Sequence, residues 1–230
     1  MKMIDKIDPN KGIIISYQRS GLNWVRYCIE HFTGLRTPGR TKLIEGGEIA
    51  VYRTHNINKR KSHDTCACSF YDEAGNPLHS KVVLLLRDYR ESFIRVGRGR
   101  KEGLPTVEDI KQGEMFNFRN YFDNLRAYDQ FNGEKLLIHY HDLVQDFSQV
   151  IKILDFFNLN YDLENFDLEY HRHKSIQIYD QQHKSYTKKS VMDFNYHQNS
   201  VDSELLDALD IFINQNYPDL RTKYLTQVFT

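Results

Sequence analysis

Three short segments carry residues able to bind an anion and move a proton. Arg19-Ser20-Gly21 sets a guanidinium, a hydroxyl and a glycine side by side, Arg53-Thr54-His55 ends in an imidazole, and Arg87-Asp88 follows an apolar run. A guanidinium grips phosphate oxygens through a planar fork of donors. A turn that opens a helix adds unpaired N–H groups and the positive end of a dipole. A neutral imidazole can accept a proton from an attacking group near pH 7. The implied chemistry is group transfer from a phosphate-bearing ligand. The Walker A spacing is absent, because Gly12 and Gly21 are too far apart and no Lys follows Gly21. Ordinary ATP or GTP hydrolysis is therefore disfavoured.

Positioning such residues requires strands that end where they stand. Gly12 to Tyr17 is a short β-branched run, followed by a turn at Ser20-Gly21 and a helix from Leu22 to Phe32. Val25, Cys28, Ile29 and Phe32 fall on one helical face. Thr33 to Gly47 reads as loop, Glu48 to Arg53 as a strand, and Asn56 to Ser80 as polar and irregular. Lys81 to Leu86 (KVVLLL) is the clearest buried strand, and a helix starts at Tyr89. Pro105 and Thr106 open a long helix expected to reach Phe131, with Phe118, Tyr121, Phe122 and Leu125 as its stripe. A strand over Lys135–His139, a helix over Asp146–Phe157 and a final helix over Ser203–Asn214 complete the pattern. Alternating strands and helices predict an α/β chain: a three-layer α/β/α domain over residues 1–230 with a mainly parallel central sheet. In such sheets ligands bind beyond the carboxyl ends of the strands. Arg19, His55 and Arg87 would converge there.

Composition narrows the partners. The 230 residues contain 31 basic and 31 acidic side chains, so the net charge is zero. A bulk nucleic-acid or membrane-surface binder usually shows a basic excess. No apolar run approaches the roughly 18–20 residues of a membrane span, and the start has no signal-like stretch, so a cytoplasmic location is expected. The odd cysteine count, Cys28, Cys66 and Cys68, is a poor disulfide framework. His63, Cys66 and Cys68 lie close together, but no second ligand pair with finger spacing follows. No metal is expected, and the segment reads as a polar surface loop.

Tyr17-Gln18-Arg19-Ser20-Gly21-Leu22-Asn23-Trp24 resembles the 5′-phosphosulfate loop of sulfotransferases that use 3′-phosphoadenosine 5′-phosphosulfate (PAPS), whose cytosolic members read Y-P-K-S-G-T-T-W. Tyr, Ser, Gly and Trp match in register, and Arg19 keeps the positive charge of the family's Lys. Arg53-Thr54-His55 resembles K-T-H, in which the His is the catalytic base. Lys81 to Arg87 resembles the strand that ends in the 3′-phosphate arginine, and Tyr140-His141-Asp142-Leu143 resembles Y-E-D-M, whose Tyr lies near adenine. Tyr186 to Phe194 resembles the loop R-K-G-x-x-G-D-W that closes over the 3′-phosphate. The resemblance runs over residues 12–195 and implies the P-loop-like sulfotransferase fold, PAPS as donor and no metal. It implies that Arg19 and the amides of Ser20, Gly21, Leu22 and Asn23 hold the 5′ end, that Trp24 stacks on adenine, and that Arg87, Lys188 and Lys189 meet the 3′-phosphate.

Departures from the family pattern are informative. Leu22 and Asn23 replace two Thr, so Leu22 can contribute only its backbone. The family's Ser eight residues after the arginine is Arg95 here, and Ser92 lies one turn earlier on the same face; either could reach the phosphate. Arg87 could instead pair with Asp88 or Glu91. In the implied reaction His55 is the base, and Arg19 with Arg53 stabilises charge on the departing phosphate oxygen. The candidate acceptor loops, Thr33–Gly47, Asn56–Ser80 and Gly97–Pro105, are polar and basic, which favours a polar or glycan acceptor over an apolar one. Two other readings stay open: a nucleotide or small-molecule kinase on a related fold, and a non-catalytic nucleotide-binding protein.

Overall fold

Ile13, Ile14 and Ile15 are fully buried, and their alternation explains the layers. In a strand, successive side chains point to opposite faces. Ile13 and Ile15 join one apolar cluster and Ile14 joins another. The same split runs through Val82, Leu84 and Leu86 against Val83 and Leu85. In this computed structural model the described residues are 7–39, 44, 46–58, 68–98, 103–115, 118–164, 173, 177 and 201–225.

Four strands form one parallel sheet: β1 (Ile13–Ser16), β2 (Tyr52–Thr54), β3 (Lys81–Leu86) and β4 (Glu134–His139), in the order β2-β1-β3-β4. Helix α1 (Leu22–Thr33) covers one face together with α5 (Tyr140–Gln145) and α6 (Ser148–Phe156). The other face carries α2 (Tyr89–Arg98), α3 (Val107–Lys111), α4 (Arg119–Gln130), α7 (Ser203–Asn216) and α8 (Pro218–Tyr224). The three-layer α/β/α arrangement follows from the burial of both sheet faces. Strand order reverses at β1, which has β2 on one side and β3 on the other. In open α/β sheets ligands bind at such a reversal, outside the carboxyl ends of the strands.

Several elements differ from expectation. Only Tyr52–Thr54 pairs with β1, whereas Glu48 and Ala50 bond to the backbone of Arg36 instead. The expected long helix over Pro105–Phe131 is two helices. Thr106 and Asp109 form a capping box that starts α3, and Gly113 at φ 73° turns the chain out after Gln112. Met115 and Phe118 then enter the core before α4 begins. The expected helix over Asp146–Phe157 starts at Ser148, whose N–H donates to Asp146 Oδ1 at 2.8 Å. Tyr140 to Gln145 form a separate helix, and α8 follows the final expected one behind Pro218. Cys68 is not in a surface loop: it is fully buried, and its N–H donates to the Arg53 carbonyl at 2.9 Å. His63 and Cys66 lie outside the described residues. No described helix is long and apolar enough to cross a membrane.

Candidate active site

Each strand delivers one candidate residue, or the loop that carries it, just past its end. Parallel register aligns those ends: Ile15 lies beside Thr54, Ser16 beside Leu85, and Leu86 beside His139. The loop after Ser16, His55 after β2, Arg87 after β3 and Tyr140 after β4 therefore share one edge.

The first loop is shaped for backbone approach to an anion. Arg19 has φ 69° and Gly21 has φ 82°, two left-handed residues around Ser20. Such turns gather N–H groups into a concavity. Gly21 caps α1, and no side chain satisfies that helix start. A Cβ at Gly21 would come within 2.9 Å of the Tyr140 ring, so a larger residue would force the ring aside. The Ser20 hydroxyl is buried with no hydrogen-bond partner among the described residues, and the same holds for Ser92. These orphaned hydroxyls and the left-handed turn around Ser20 fit a phosphate-bearing ligand. Leu22 is buried at 2 % exposure in the core, so only its backbone faces the loop. Asn23 Oδ1 accepts from Arg26 Nη1 at 3.4 Å. Trp24 is half-buried and packs against the α1 face of the core.

His55 is held in one tautomer. Its Nδ1 lies 3.1 Å from the Ser16 carbonyl, which can only accept, and 3.0 Å from Ser16 Oγ. Nδ1 therefore carries the proton. Nε2 presents its lone pair to Arg53 Nη1 at 3.3 Å. Burial, and next the charge of Arg53, hold the His55 pKa down to about 3, with Arg26 and Arg19 adding to the effect. The imidazole is therefore neutral at pH 7, which leaves Nε2 free of a proton but makes it a weaker base than an ordinary histidine until Arg53 moves off that lone pair. Removing the Arg53 charge relieves the smaller of the two main causes. In Arg53→Gln the His55 pKa is expected to rise part of the way toward 6.5, read by NMR titration of its ring protons. An unchanged midpoint would detach Arg53 from the electrostatics of the base.

Arg87 is the junction of the far side. Its Nη1 donates to the Arg19 carbonyl at 2.6 Å, which ties β3 to the first loop. Its guanidinium lies 3.8 Å from the Tyr140 ring centroid, a cation–π stack. Nε and Nη2 both donate to Glu91, with Nε at 2.8 Å. Arg95 reaches the same carboxylate, its Nε at 2.8 Å. The ion pair with Glu91 that the sequence left open is thus made. Lys188 and Lys189 lie outside the described residues.

Two supporting residues escaped the sequence reading. Asn124 of α4, 1 % exposed, donates from Nδ2 to the carbonyls of His55 at 3.0 Å and Ser16 at 3.3 Å, and accepts from Ile57 N–H. It clamps the backbone of His55 to the end of β1. Arg26 of α1, 2 % exposed, donates to Thr37 Oγ1 at 2.8 Å and to the Thr37 carbonyl at 3.0 Å, and pairs with Glu30. The next carbonyl, Pro38, accepts from Arg53 Nε at 2.7 Å. One buried chain of hydrogen bonds thus runs from α1 through the Thr37 loop to Arg53 and His55. A helical Asn and a helical Arg carry no local signal of such distant partners.

Fold and edge together define an α/β chain with the sulfotransferase fold. The solved structures it resembles include mouse sulfotransferase SULT7A1 complexed with PAP, at TM-score 0.50 and 15% identity, over 95% of this chain and 89% of that one. Retinol dehydratase in complex with androsterone and inactive cofactor PAP gives TM-score 0.55 and 13% identity, over 93% of this chain and 82% of that one. No family model matches the chain, and no curated protein matches it.

Proposed function

We propose that the chain is a sulfotransferase that moves a sulfuryl group from PAPS to a hydroxyl or amine acceptor. The observation that carries this reading is the edge itself. A tautomer-fixed neutral histidine, an anion-shaped loop and a stacked arginine stand side by side after three neighbouring parallel strands. The likeness to PAP-bound structures supports the same donor.

PAPS supplies an activated sulfuryl group, whose S–O bond to the 5′-phosphate breaks as the acceptor oxygen bonds to sulfur. Nε2 of His55 takes the acceptor's proton, while Nδ1–H stays on the Ser16 carbonyl and keeps the ring oriented. Arg19 and the amides of Ser20 to Asn23 stabilise charge on the phosphate oxygen that keeps the electron pair. Arg53, bonded to Nε2, must yield that lone pair to the acceptor and then sits beside the same developing charge. Its guanidinium acts electrostatically, since it does not give up a proton near neutrality. Arg87, Ser92 and Arg95 address the 3′-phosphate, and Trp24 and Tyr140 the adenine.

The polar and basic composition of Thr33–Gly47, Asn56–Ser80 and Gly97–Pro105 favours a saccharide or other polar acceptor. Sulfur-labelled PAPS, offered with saccharide and phenol acceptors, tests the reading. Label is expected on saccharide hydroxyls. Binding of PAP without transfer to any acceptor would favour a non-catalytic nucleotide-binding protein, and consumption of ATP instead would favour a kinase.

A further inference from the structure

Glu91 sits where the two guanidinium groups assigned to the donor's 3′ end converge. Arg87 presents its bidentate edge, Nε and Nη2, to the Glu91 carboxylate, and Arg95 Nη2 reaches Oε1 at 2.7 Å. All three residues lie within two turns at the start of α2 or just before it. The cluster is largely withdrawn from water, with side-chain exposures of 7 % for Arg87, 21 % for Arg95 and 25 % for Glu91. Burial works against ionisation of Glu91, but the hydrogen bond and charge of Arg87, joined by Arg95, outweigh it and hold the carboxyl below its ordinary range. Glu91 is therefore an anion at neutral pH. Next to it, the buried Ser92 hydroxyl has no partner among the described residues.

A carboxylate and a phosphate monoester seek the same fork of donors. The remaining Arg87 nitrogen, Nη1, is committed to the Arg19 carbonyl. A 3′-phosphate therefore gains the strong edge of Arg87 only by taking it from Glu91. We propose that Glu91 is a specificity-determining residue of the donor site: an internal carboxylate that competes with the 3′-phosphate for Arg87 and Arg95. The proposal rests on the donor reading above. Under it, the net gain from a 3′-phosphate is the difference between two charge-assisted pairings, so the bisphosphate product is held less tightly than free arginines would hold it. Glu91 re-closing on Arg87 assists product release, a step that often limits turnover. A nucleotide with a 3′-hydroxyl has no charge with which to open the pair and is indifferent to it.

The test uses the full chain with PAP and 5′-AMP as probes, by calorimetry and stopped-flow release. Glu91→Gln is expected to tighten PAP by about tenfold and slow its release correspondingly, while 5′-AMP affinity stays within about twofold. Glu91→Ala, which removes every acceptor at that position, moves the same way. If Glu91 merely holds Arg87 in place, both variants weaken PAP. Unchanged or weaker PAP binding in the variants, with wild type still preferring PAP to 5′-AMP, overturns the proposal and leaves the donor reading intact. Absence of PAP binding in all three proteins overturns the donor reading, and the proposal with it.

Discussion

His55→Gln is expected to lower sulfuryl transfer by at least about a hundredfold while PAP affinity stays within about twofold. The glutamine amide can still donate toward the Ser16 carbonyl, which His55 Nδ1 approaches at 3.1 Å, so the end of β1 keeps its contact. What disappears is the Nε2 lone pair beside Arg53. An amide has no comparable basicity, so the acceptor would attack with its proton still attached. The loss should fall on kcat more than on KM for the donor, because His55 touches the acceptor side of the reaction. Near-normal turnover would remove His55 as base and move attention to the acceptor loops.

Arg87→Met is expected to cut the preference for PAP over 5′-AMP by about 10²–10³-fold. Four things are lost together, the first being the Nη1 bond to the Arg19 carbonyl that ties β3 to the first loop. The bidentate edge goes, the stack on Tyr140 goes, and Glu91 is left ionised beside the incoming phosphate. Methionine keeps the apolar stem, so packing against Tyr140 is partly retained and the fold should survive. Binding of 5′-AMP should fall much less than that of PAP, because it loses only the support that Arg87 gives to the Arg19 loop and to Tyr140. Preserved discrimination would place the 3′-phosphate elsewhere, with Lys188 and Lys189 as the next residues to replace.

The parts of the fold legible in the sequence were those with a strong local signal. KVVLLL gave the bounds of β3 because an apolar run between a charged start and Arg87 leaves little choice. The strand–turn–helix unit at Ile13 to Thr33 was equally plain. The break between α3 and α4 is hidden in the sequence because the apolar stripe from Phe118 onward continues a helical period and masks the stop at Gly113. The short β2 was overestimated because Glu48–Ala50 has strand-like residues whose partner, Arg36, is a loop residue.

The same divide holds for the site. The shared edge of Arg19, His55 and Arg87 was legible because each follows a strand-like run, and parallel strands bring such positions together, whereas Tyr140 came from the family resemblance alone. Asn124 and Arg26 were not legible, because their partners are set by packing: Asn124 reaches Ser16 across 108 residues and His55 across 69. Glu91 was visible as an i+4 partner of Arg87, yet its sharing with Arg95 at one oxygen needed side-chain geometry. The likeness to solved structures at 13–15% identity is a likeness of fold.

Calorimetry of PAP beside 5′-AMP and ATP decides whether this edge binds an adenosine nucleotide through its 3′-phosphate. PAP binding clearly tighter than 5′-AMP and ATP is the predicted result. No binding of PAP, or a preference for ATP, would contradict the claim and promote the kinase or the non-catalytic reading.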